Sequence, residues 1–255
     1  MVTGSSSPGP SPAADAVREA RLYLITPARP DLSAFLEAAV GGGVDLVQLR
    51  DKELPDGRLL AALEEAREAT RRLGVPLVVN ERPDLAVLVG ADFVHVGQGD
   101  IPVEAVRRFG LPVGLSTHAP EELDRARADY AGVGPVFATP TKEGRPAVGL
   151  ELVRYAAAHA PVPWFAIGGI DAGNVKEVVA AGARRIAVVR AIGDAADPER
   201  AARDLRAALP GEGALPSVGA AGGPASPRAR PVRRARPRRA GPRRAPTLGV
   251  EHWKQ

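Results

Sequence analysis

Short apolar segments alternate with longer amphipathic segments along most of the chain. Between residues 22 and 209, eight apolar segments of strand length are rich in Val, Ile and aromatic side chains, and a helical pattern follows each one. The predicted strands cover residues 22–26, 45–50, 76–80, 93–97, 113–117, 130–137, 164–169 and 185–190. The clearest predicted helix covers residues 55–73, because Leu59, Leu60 and Leu63 share one face and Gly74 follows its end.

The repeated strand–helix unit decides the predicted fold class. Consecutive parallel strands need a connection of about a dozen residues or more, and the helical segments supply it. The number of units favours an α/β fold in which the strands close into a single-domain (β/α)8 TIM barrel. The alternative is an open doubly wound sheet, which usually carries a G-x-G-x-x-G turn after its first strand, where this chain has TPARPDL. We therefore predict the barrel.

The two ends of the chain lack this pattern. Residues 1–14 are small, polar and rich in Pro and Gly, and residues 211–255 are rich in Pro, Arg, Ala and Gly with almost no large apolar side chains. Such segments bury too little apolar surface to offset the entropy lost on ordering. Both are predicted to be disordered, and the catalytic domain is predicted to cover residues 15–210.

Charge is distributed unevenly over these parts. The whole chain has a net charge of +4, of which residues 211–255 contribute +8 and the remainder −4. Nucleic acid is therefore not expected as a partner of the acidic folded part. The basic tail is either a weak polyanion-binding arm or a solvated extension, and it lacks the interleaved aromatic residues that stack on bases.

Composition also excludes several classes of protein. The chain has no cysteine, which rules out a disulfide framework, a thiolate nucleophile and a cysteine-ligated zinc site. Neither a signal peptide nor a long apolar span stands out, so a cytoplasmic protein without membrane contact is expected. The sequence leaves a homo-oligomer open.

Polar residues at the carboxyl ends of barrel strands are the candidates for function. After the second predicted strand, alternation places Gln48, Arg50 and Lys52 on one side of the chain. Two cations and an amide suit a phosphate ligand. The alternative is an ion pair at the rim with neighbouring acids such as Asp51 or Glu53.

Two carboxylates follow the next two predicted strands. Asn80 and Glu81 end the third strand, and Asp100 lies shortly after the fourth. Magnesium is usually held by one or two carboxylates together with substrate phosphate oxygens, so Glu81 and Asp100 near Lys52 indicate a magnesium site. The alternative for Asp100 is a cap on the helix that begins near Pro102.

Further candidates come from later strands. Thr139, Thr141 and Lys142 lie in a long loop and offer two hydroxyls and an ammonium to a phosphate. Gly169 follows the seventh strand, where a backbone can approach a ligand closely, and Arg190 ends the eighth.

The histidines and Ser116 give weaker signals. Ser116 ends the fifth strand and could donate to a ligand, although Ser at a strand end also begins turns. His95, within the fourth strand, and His118, after the fifth, are predicted to be structural residues rather than bases.

Taken together, these segments resemble the thiamine phosphate synthase family. The resemblance rests on VQLRDK (47–52), NERPDLA (80–86), HVGQGDIP (95–102), GLSTH (114–118), YAGVGPVFATPTK (130–142), FAIGGI (165–170) and AVVRAI (187–192). It implies a Mg²⁺-dependent (β/α)8 transferase that joins 4-amino-2-methyl-5-hydroxymethylpyrimidine diphosphate to a thiazole phosphate. In that family pyrophosphate leaves first, by a dissociative mechanism, and thiamine phosphate is the product.

The resemblance also assigns residues to ligands. It implies that the pyrimidine diphosphate is bound by Gln48, Arg50, Lys52, Asn80, Ser116 and Lys142, the metal by Glu81 and Asp100, and the thiazole phosphate by Thr139, Thr141, Gly169, Val189 and Arg190. Two positions depart from the family pattern, since Glu81 stands where Asp is usual and Arg190 where Ser is frequent. Two alternatives stay open: a thiazole tautomerase-like paralogue, and a non-catalytic thiamine phosphate-binding protein that uses the tail.

Overall fold

Eight parallel strands close into a barrel in chain order, and helices lie between successive strands. The computed structural model describes residues 12–139 and 147–211. The strands are β1 (Leu22–Thr26), β2 (Leu46–Leu49), β3 (Leu77–Asn80), β4 (Phe93–Val96), β5 (Val113–Thr117), β6 (Tyr130–Val133), β7 (Trp164–Ile167) and β8 (Ile186–Val188). Because β1 pairs with both β2 and β8, the sheet is closed, and the predicted TIM barrel is confirmed.

The helices form the outer layer of the barrel. They are α1 (Pro12–Glu19), α2 (Leu32–Gly41), α3 (Asp56–Leu73), α4 (Pro83–Val89), α5 (Val103–Val106) with a 3-10 turn at Arg107–Phe109, α6 (Pro120–Asp124), α7 (Gly149–His159), α8 (Val175–Ala180), α9 (Arg190–Gly193) and α10 (Pro198–Ala208). The longest, α3, matches the predicted helix to within one residue. Gly74 follows its last residue, and the left-handed φ of 72° there lets the next N–H, that of Val75, donate to the carbonyl of Thr70 at 3.1 Å.

Three strands end at least two residues before their apolar segments end. The predicted strands 130–137, 164–169 and 185–190 extend beyond the observed ends of β6, β7 and β8. At β7 the cause is a pair of glycines, since Gly168 and Gly169 have φ of 103° and 65°, outside the extended region. Arg190, predicted at the end of a strand, instead begins α9, where the Gly193 N–H bonds the Val189 carbonyl at 2.8 Å.

Side chains fill the interior of the barrel. Alternate strand residues point inwards and form one buried cluster that includes Tyr23, Leu46, Val78, Phe93, Tyr130, Phe165 and Ala187. The intervening residues, such as Leu49, pack in a second cluster under the helices. Tyr23, Tyr130 and Phe165 make edge-to-face contacts with ring centroids 5.3–6.0 Å apart. Because the interior is packed, ligands must bind above it, at the strand ends.

The N-terminal segment differs in part from the predicted disorder. Helix α1 begins inside the segment 1–14 that the sequence predicts to be disordered, since Pro12 and the following alanines suit a first helical turn. The rest of that segment and the predicted disordered tail lie outside the described residues, apart from Gly211. Within the described part of the chain, none of the helices has the length and apolar character needed to cross a membrane.

Candidate active site

Two adjoining cavities lie at the carboxyl ends of the strands. The larger, about 390 Å³, is lined mainly by residues that follow β2 to β5, and we call it the polar cavity. The smaller, about 250 Å³, is lined by residues around the ends of β6, β7 and β8, including Gly168 and Gly169, and we call it the glycine cavity. Both cavities are bounded by Ile167 and Val189, so these two side chains form a shared wall.

Every predicted site residue that the structure describes lines one of these cavities. The polar cavity is lined by Gln48, Arg50, Lys52, Asn80, Glu81, Asp100 and Ser116. The glycine cavity is lined by Thr139, Gly169, Val189 and Arg190. Thr141 and Lys142 lie outside the described residues. The structure thus brings together the residues from separate strands, and the ligand of each cavity stays a prediction.

Lys52 and Glu81 form an ion pair within the polar cavity, with Nζ and Oε1 2.7 Å apart. The predicted alternative of a rim ion pair therefore occurs for Lys52, but with Glu81 rather than with Asp51 or Glu53. The two side chains are 46% and 28% exposed, so solvent screening limits the stabilisation to about 1 kcal/mol at most. The pair positions both side chains more than it stabilises the fold.

The backbone of Glu81 is strained. Its φ of 61° is left-handed, which costs a residue with a Cβ about 1–2 kcal/mol. Its N–H donates to the carbonyl of His95 at 2.9 Å, which ties the end of β3 to β4. A strained non-glycine residue held by its surroundings is typical of functional sites.

Asp100 turns back towards its own strand end. Its Oδ2 accepts a hydrogen bond from the Gly97 N–H at 2.6 Å. The residue that precedes α5 is Pro102, and no side chain caps that helix. The alternative interpretation of Asp100 as a helix cap is therefore wrong, and its carboxylate instead shapes the loop on which it faces the polar cavity.

A hydrogen-bonded chain crosses the barrel interior and ends at the polar cavity. Gln48 donates to the Tyr23 hydroxyl, which lies 3.0 Å from the Tyr130 hydroxyl. Tyr130 lies 3.2 Å from Nδ1 of His95, and Nε2 of His95 lies 3.0 Å from Oγ of Ser116. Burial raises the pKa of both phenols, so both stay protonated at neutral pH.

Several of these residues were missed by the sequence reasoning. The sequence analysis assigned no role to Tyr23 or Tyr130. It predicted His95 and His118 to be structural residues, and both line the polar cavity. A signal was available for the tyrosines, because both occupy inward positions of β1 and β6. A phenol inside a packed barrel must find a hydrogen-bond partner, so two of them indicate an interior polar network.

The glycine cavity depends on Gly169. An added Cβ would lie 2.7 Å from Cβ of Phe137 and 3.0 Å from the carbonyl oxygen of Ala138, and φ is 65°. Glycine is therefore required both by conformation and by the close approach of the segment that follows β6. Asn174 fixes the turn, since its Nδ2 donates to the Gly169 carbonyl at 2.8 Å.

The two cavities each contain an arginine without an acidic partner among residues 12–139 and 147–211. Arg50 lines the polar cavity and Arg190 the glycine cavity, and neither forms an ion pair with a described carboxylate. Most other cationic side chains near the strand ends are paired, such as Arg29 with Asp31 at 2.6 Å and Arg82 with Asp84 at 2.7 Å. Unpaired guanidinium groups at cavity walls favour anionic ligands in both cavities.

The chain is similar to known proteins throughout the barrel. A family model described as thiamine monophosphate synthase matches residues 22–192. A thiamine-phosphate synthase from Thermus thermophilus is 56% identical over 201 residues, which cover 75% of this chain and 98% of the relative. A thiamine-phosphate synthase from an Arthrobacter species is 50% identical over 224 residues, covering 75% and 94%.

A solved structure shows the same likeness. A thiamine phosphate pyrophosphorylase from Pyrococcus furiosus is similar with a TM-score of 0.68 and 32% sequence identity. The match covers 75% of this chain and 96% of that chain. The residues matched by the family model include the lining of both cavities.

Proposed function

The chain belongs to the thiamine monophosphate synthase family and is an enzyme, and on this basis we propose that it condenses 4-amino-2-methyl-5-hydroxymethylpyrimidine diphosphate with a thiazole phosphate. The products are thiamine phosphate and pyrophosphate. The observation that carries the proposal is the pair of adjoining cavities that share Ile167 and Val189. A condensation needs two ligands whose reacting atoms meet, and two adjoining cavities that each offer an arginine to an anionic ligand suit that need.

The polar cavity suits the pyrimidine diphosphate. Arg50 and Lys52 bring two cations to its wall, and Gln48, Asn80 and Ser116 add polar groups that can orient a heterocycle or bind phosphate oxygens. Negative charge builds up on the pyrophosphate as it departs. Cations that are already in place stabilise that charge more in the transition state than in the bound substrate.

Glu81 and Asp100 fit a magnesium ion. Both line the polar cavity, and both keep lone pairs beyond those used by Lys52 and by the Gly97 N–H. In the described ranges, no group of three or more His, Cys, Asp or Glu side chains could enclose a metal. Two carboxylates that leave the other positions to water and phosphate oxygens are the usual arrangement for magnesium. When bound, the ion would neutralise charge on the diphosphate.

The glycine cavity suits the thiazole phosphate. Gly168 and Gly169 expose backbone at its wall, and Thr139 and Arg190 add a hydroxyl and a guanidinium. A phosphate site after the seventh and eighth strands is frequent in barrels of this kind. The family resemblance adds two candidate ligands: Thr141 for the thiazole phosphate and Lys142 for the pyrimidine diphosphate.

The proposed reaction breaks one bond and forms one bond. The C–O bond between the pyrimidine methylene carbon and the diphosphate breaks first, and its electron pair leaves with pyrophosphate. The lone pair of the thiazole nitrogen then forms the new C–N bond to the methylene carbon. That nitrogen carries no proton, so the step requires no general base. Departure of pyrophosphate would leave a pyrimidine cation. The apolar side chains of Ile167 and Val189, which line both cavities, would limit the access of water to that cation.

A direct assay tests the proposal. The full-length protein is mixed with both substrates and Mg²⁺, and thiamine phosphate and pyrophosphate are measured with and without EDTA. We expect equal amounts of both products, and loss of both on chelation. Failure to form product from folded protein with verified substrates would contradict the synthase and favour the thiazole tautomerase-like alternative.

Variants test the metal ligands separately from the reaction. Glu81→Gln and Asp100→Asn keep the size of each side chain but remove its charge, so each is expected to lower activity about 100-fold. Each is also expected to abolish the rise in melting temperature that Mg²⁺ and pyrophosphate give the wild type. The control is Asp124→Asn, because Asp124 bonds Tyr155 outside the barrel. Equal losses in all three variants would contradict the assignment.

A further inference from the structure

Gln48 and Ser116 lie on different sides of the barrel mouth but are connected beneath it. Gln48 belongs to β2 and Ser116 to β5, so two strands separate them around the barrel. The connection is the chain of hydrogen bonds through Tyr23, Tyr130 and His95. Tyr23 and Tyr130 are almost fully buried, so their hydroxyls are shielded from bulk water.

The barrel makes room for this chain at one position of β5. A Cβ added to Gly114 would lie 2.1 Å from Cζ of Tyr130 and 2.5 Å from Nδ1 of His95. Any side chain there would therefore separate His95 from Tyr130. The absence of a side chain at this inward position of β5 thus leaves room for the hydrogen bond between His95 and Tyr130.

The donors and acceptors in the chain fix the direction of its protons. Gln48 donates through Nε2 to the Tyr23 oxygen, so the Tyr23 hydrogen is available to Tyr130. The Tyr130 hydrogen then points to Nδ1 of His95, which must be unprotonated to accept it. The proton of a neutral His95 is then on Nε2, which donates to Oγ of Ser116.

The opposite direction leaves a buried donor unused. If Ser116 donated to His95, and His95 to Tyr130, then Tyr130 would donate to Tyr23. The Tyr23 oxygen would then accept from Tyr130 and from Gln48, and its own hydrogen would have no acceptor among the hydrogen bonds of the described chain. A buried hydroxyl hydrogen without an acceptor destabilises the folded state, so the first direction is favoured.

We propose that Tyr23, Tyr130 and His95 are positioning residues that set the Ser116 hydroxyl as a hydrogen-bond donor into the polar cavity. This inference rests on the proposed function, in which that cavity holds a diphosphate. Because Ser116 accepts from His95, its own hydrogen is directed to the ligand. An oxyanion accepts hydrogen bonds only, so a serine held as a donor stabilises the departing pyrophosphate without first turning.

If the hydrogen-bonded chain positions Ser116, breaking it should change kcat rather than KM. Removing the Tyr130 hydroxyl lets the His95 proton move to Nδ1, and the Ser116 hydroxyl then donates to Nε2 instead of to the ligand. The lost donor matters most when charge develops on the leaving group. We expect Tyr130→Phe to lower kcat about three- to tenfold with little change in KM for either substrate. Tyr155→Phe is the control, since that hydroxyl bonds Asp124 outside the barrel.

A matched pair of variants separates the two ring nitrogens of His95. The amide nitrogen of His95→Gln can replace Nε2–H and donate to Ser116, whereas the amide of His95→Asn reaches only as far as Nδ1 and Tyr130. If the chain of hydrogen bonds acts through Ser116, kcat falls less for His95→Gln than for His95→Asn. The reverse order, or equal loss in two variants of equal stability, would overturn the inference.

A double-mutant cycle tests whether Tyr130 acts through Ser116. In a Ser116→Ala background, Tyr130→Phe is expected to lower kcat less than about twofold further, because the group it positions is gone. A role in packing alone would instead reduce kcat by the same factor in both backgrounds, which would contradict the inference.

The tautomer of His95 gives a readout that does not depend on activity. In ¹⁵N NMR spectra of the histidine side chains, assigned by comparison with His95→Gln, we expect the Nε2–H tautomer in the wild type. An Nδ1–H tautomer would overturn the inference even if the enzyme is active. The Nε2–H tautomer in a protein that makes no thiamine phosphate would support the proton order and contradict only the proposed function.

Discussion

The Lys52 ammonium lies 2.7 Å from the Glu81 carboxylate, so an ion pair joins the ends of β2 and β3. In our proposal these two residues bind different partners, the diphosphate and the metal. Their contact places the cation and the carboxylate next to each other before either ligand arrives. The left-handed backbone of Glu81, with φ of 61°, accompanies this arrangement.

We expect Glu81→Gly to stabilise the fold while abolishing activity. Glycine removes about 1–2 kcal/mol of left-handed strain. The substitution also increases the conformational entropy that the backbone loses on folding, which costs about 0.5–1 kcal/mol. It removes the ion pair with Lys52 as well, but that pair contributes little to the free energy of unfolding. The free energy of unfolding in urea should therefore rise by about 0.5 kcal/mol. Glu53→Gly is the control because Glu53 has no positive φ, and it should give no gain. A similar loss of stability in both variants would show that Glu81 is unstrained.

Two Gly→Ala changes should have opposite effects on stability. Gly57 lies in the first turn of α3 with nothing within 4 Å of an added Cβ, so Gly57→Ala should add about 0.5 kcal/mol. Gly169→Ala meets Phe137 at 2.7 Å with φ of 65°, so it should cost more than about 1 kcal/mol. It should also raise KM for the thiazole phosphate. Chemical denaturation and steady-state kinetics measure the two effects, and equal stability of both variants would contradict them.

Arg190 should affect only one substrate. It lines the glycine cavity and makes no ion pair with a described residue. Loss of a charge-assisted hydrogen bond costs about 1.5–3 kcal/mol, so Arg190→Ala should raise KM for the thiazole phosphate at least about tenfold. KM for the pyrimidine diphosphate should be unchanged. The control is Arg154→Ala, since Arg154 pairs with Glu151 on the outside of the barrel. An equal rise in both KM values would argue against separate cavities.

The start of α4 should make a pH-dependent contribution to stability. The hydrogen bond from Arg82 lowers the pKa of Asp84, and Arg82 also bonds Asp56 at 2.6 Å. A lowered folded pKa gives stability that is present above the unfolded value of about 3.9 and lost as the pH falls through the folded value. Arg82→Gln should therefore cost less than about 1 kcal/mol at pH 7 and almost nothing near pH 2. A constant difference between those pH values would contradict this origin.

Much of the barrel could be predicted because its strands are short and apolar. The bounds of β1 and β5 agree with their apolar segments, and a proline stands directly after β1 (Pro27) and directly before β5 (Pro112). The ends of β6 and β8 could not be placed in the same way, since apolar residues such as Val136 and Val189 continue past the last ladder pair. Val136 packs in the cluster under the helices and Val189 packs against the interior cluster, a tertiary effect that periodicity does not encode.

The residues of the candidate site could be predicted from the sequence, but the contacts between them could not. Position at a strand end was sufficient to find Arg50 and Asp100. The pairing of Lys52 with Glu81 depends on how β2 and β3 are aligned, and the return of Asp100 to Gly97 depends on the shape of one loop. The link between His95 and Tyr130 joins β4 to β6 across the space above Gly114. Such contacts require closure of the barrel, which no single segment reveals.

Under the proposed function, the wall formed by Ile167 and Val189 would determine how each product competes with the two substrates. Thiamine phosphate contains both heterocycles, so a bound product molecule must extend over the wall and occupy parts of both compartments at once. It would therefore compete with each substrate in turn, whereas pyrophosphate would compete only with the pyrimidine diphosphate. The position of this one wall would thus give thiamine phosphate and pyrophosphate different patterns of product inhibition.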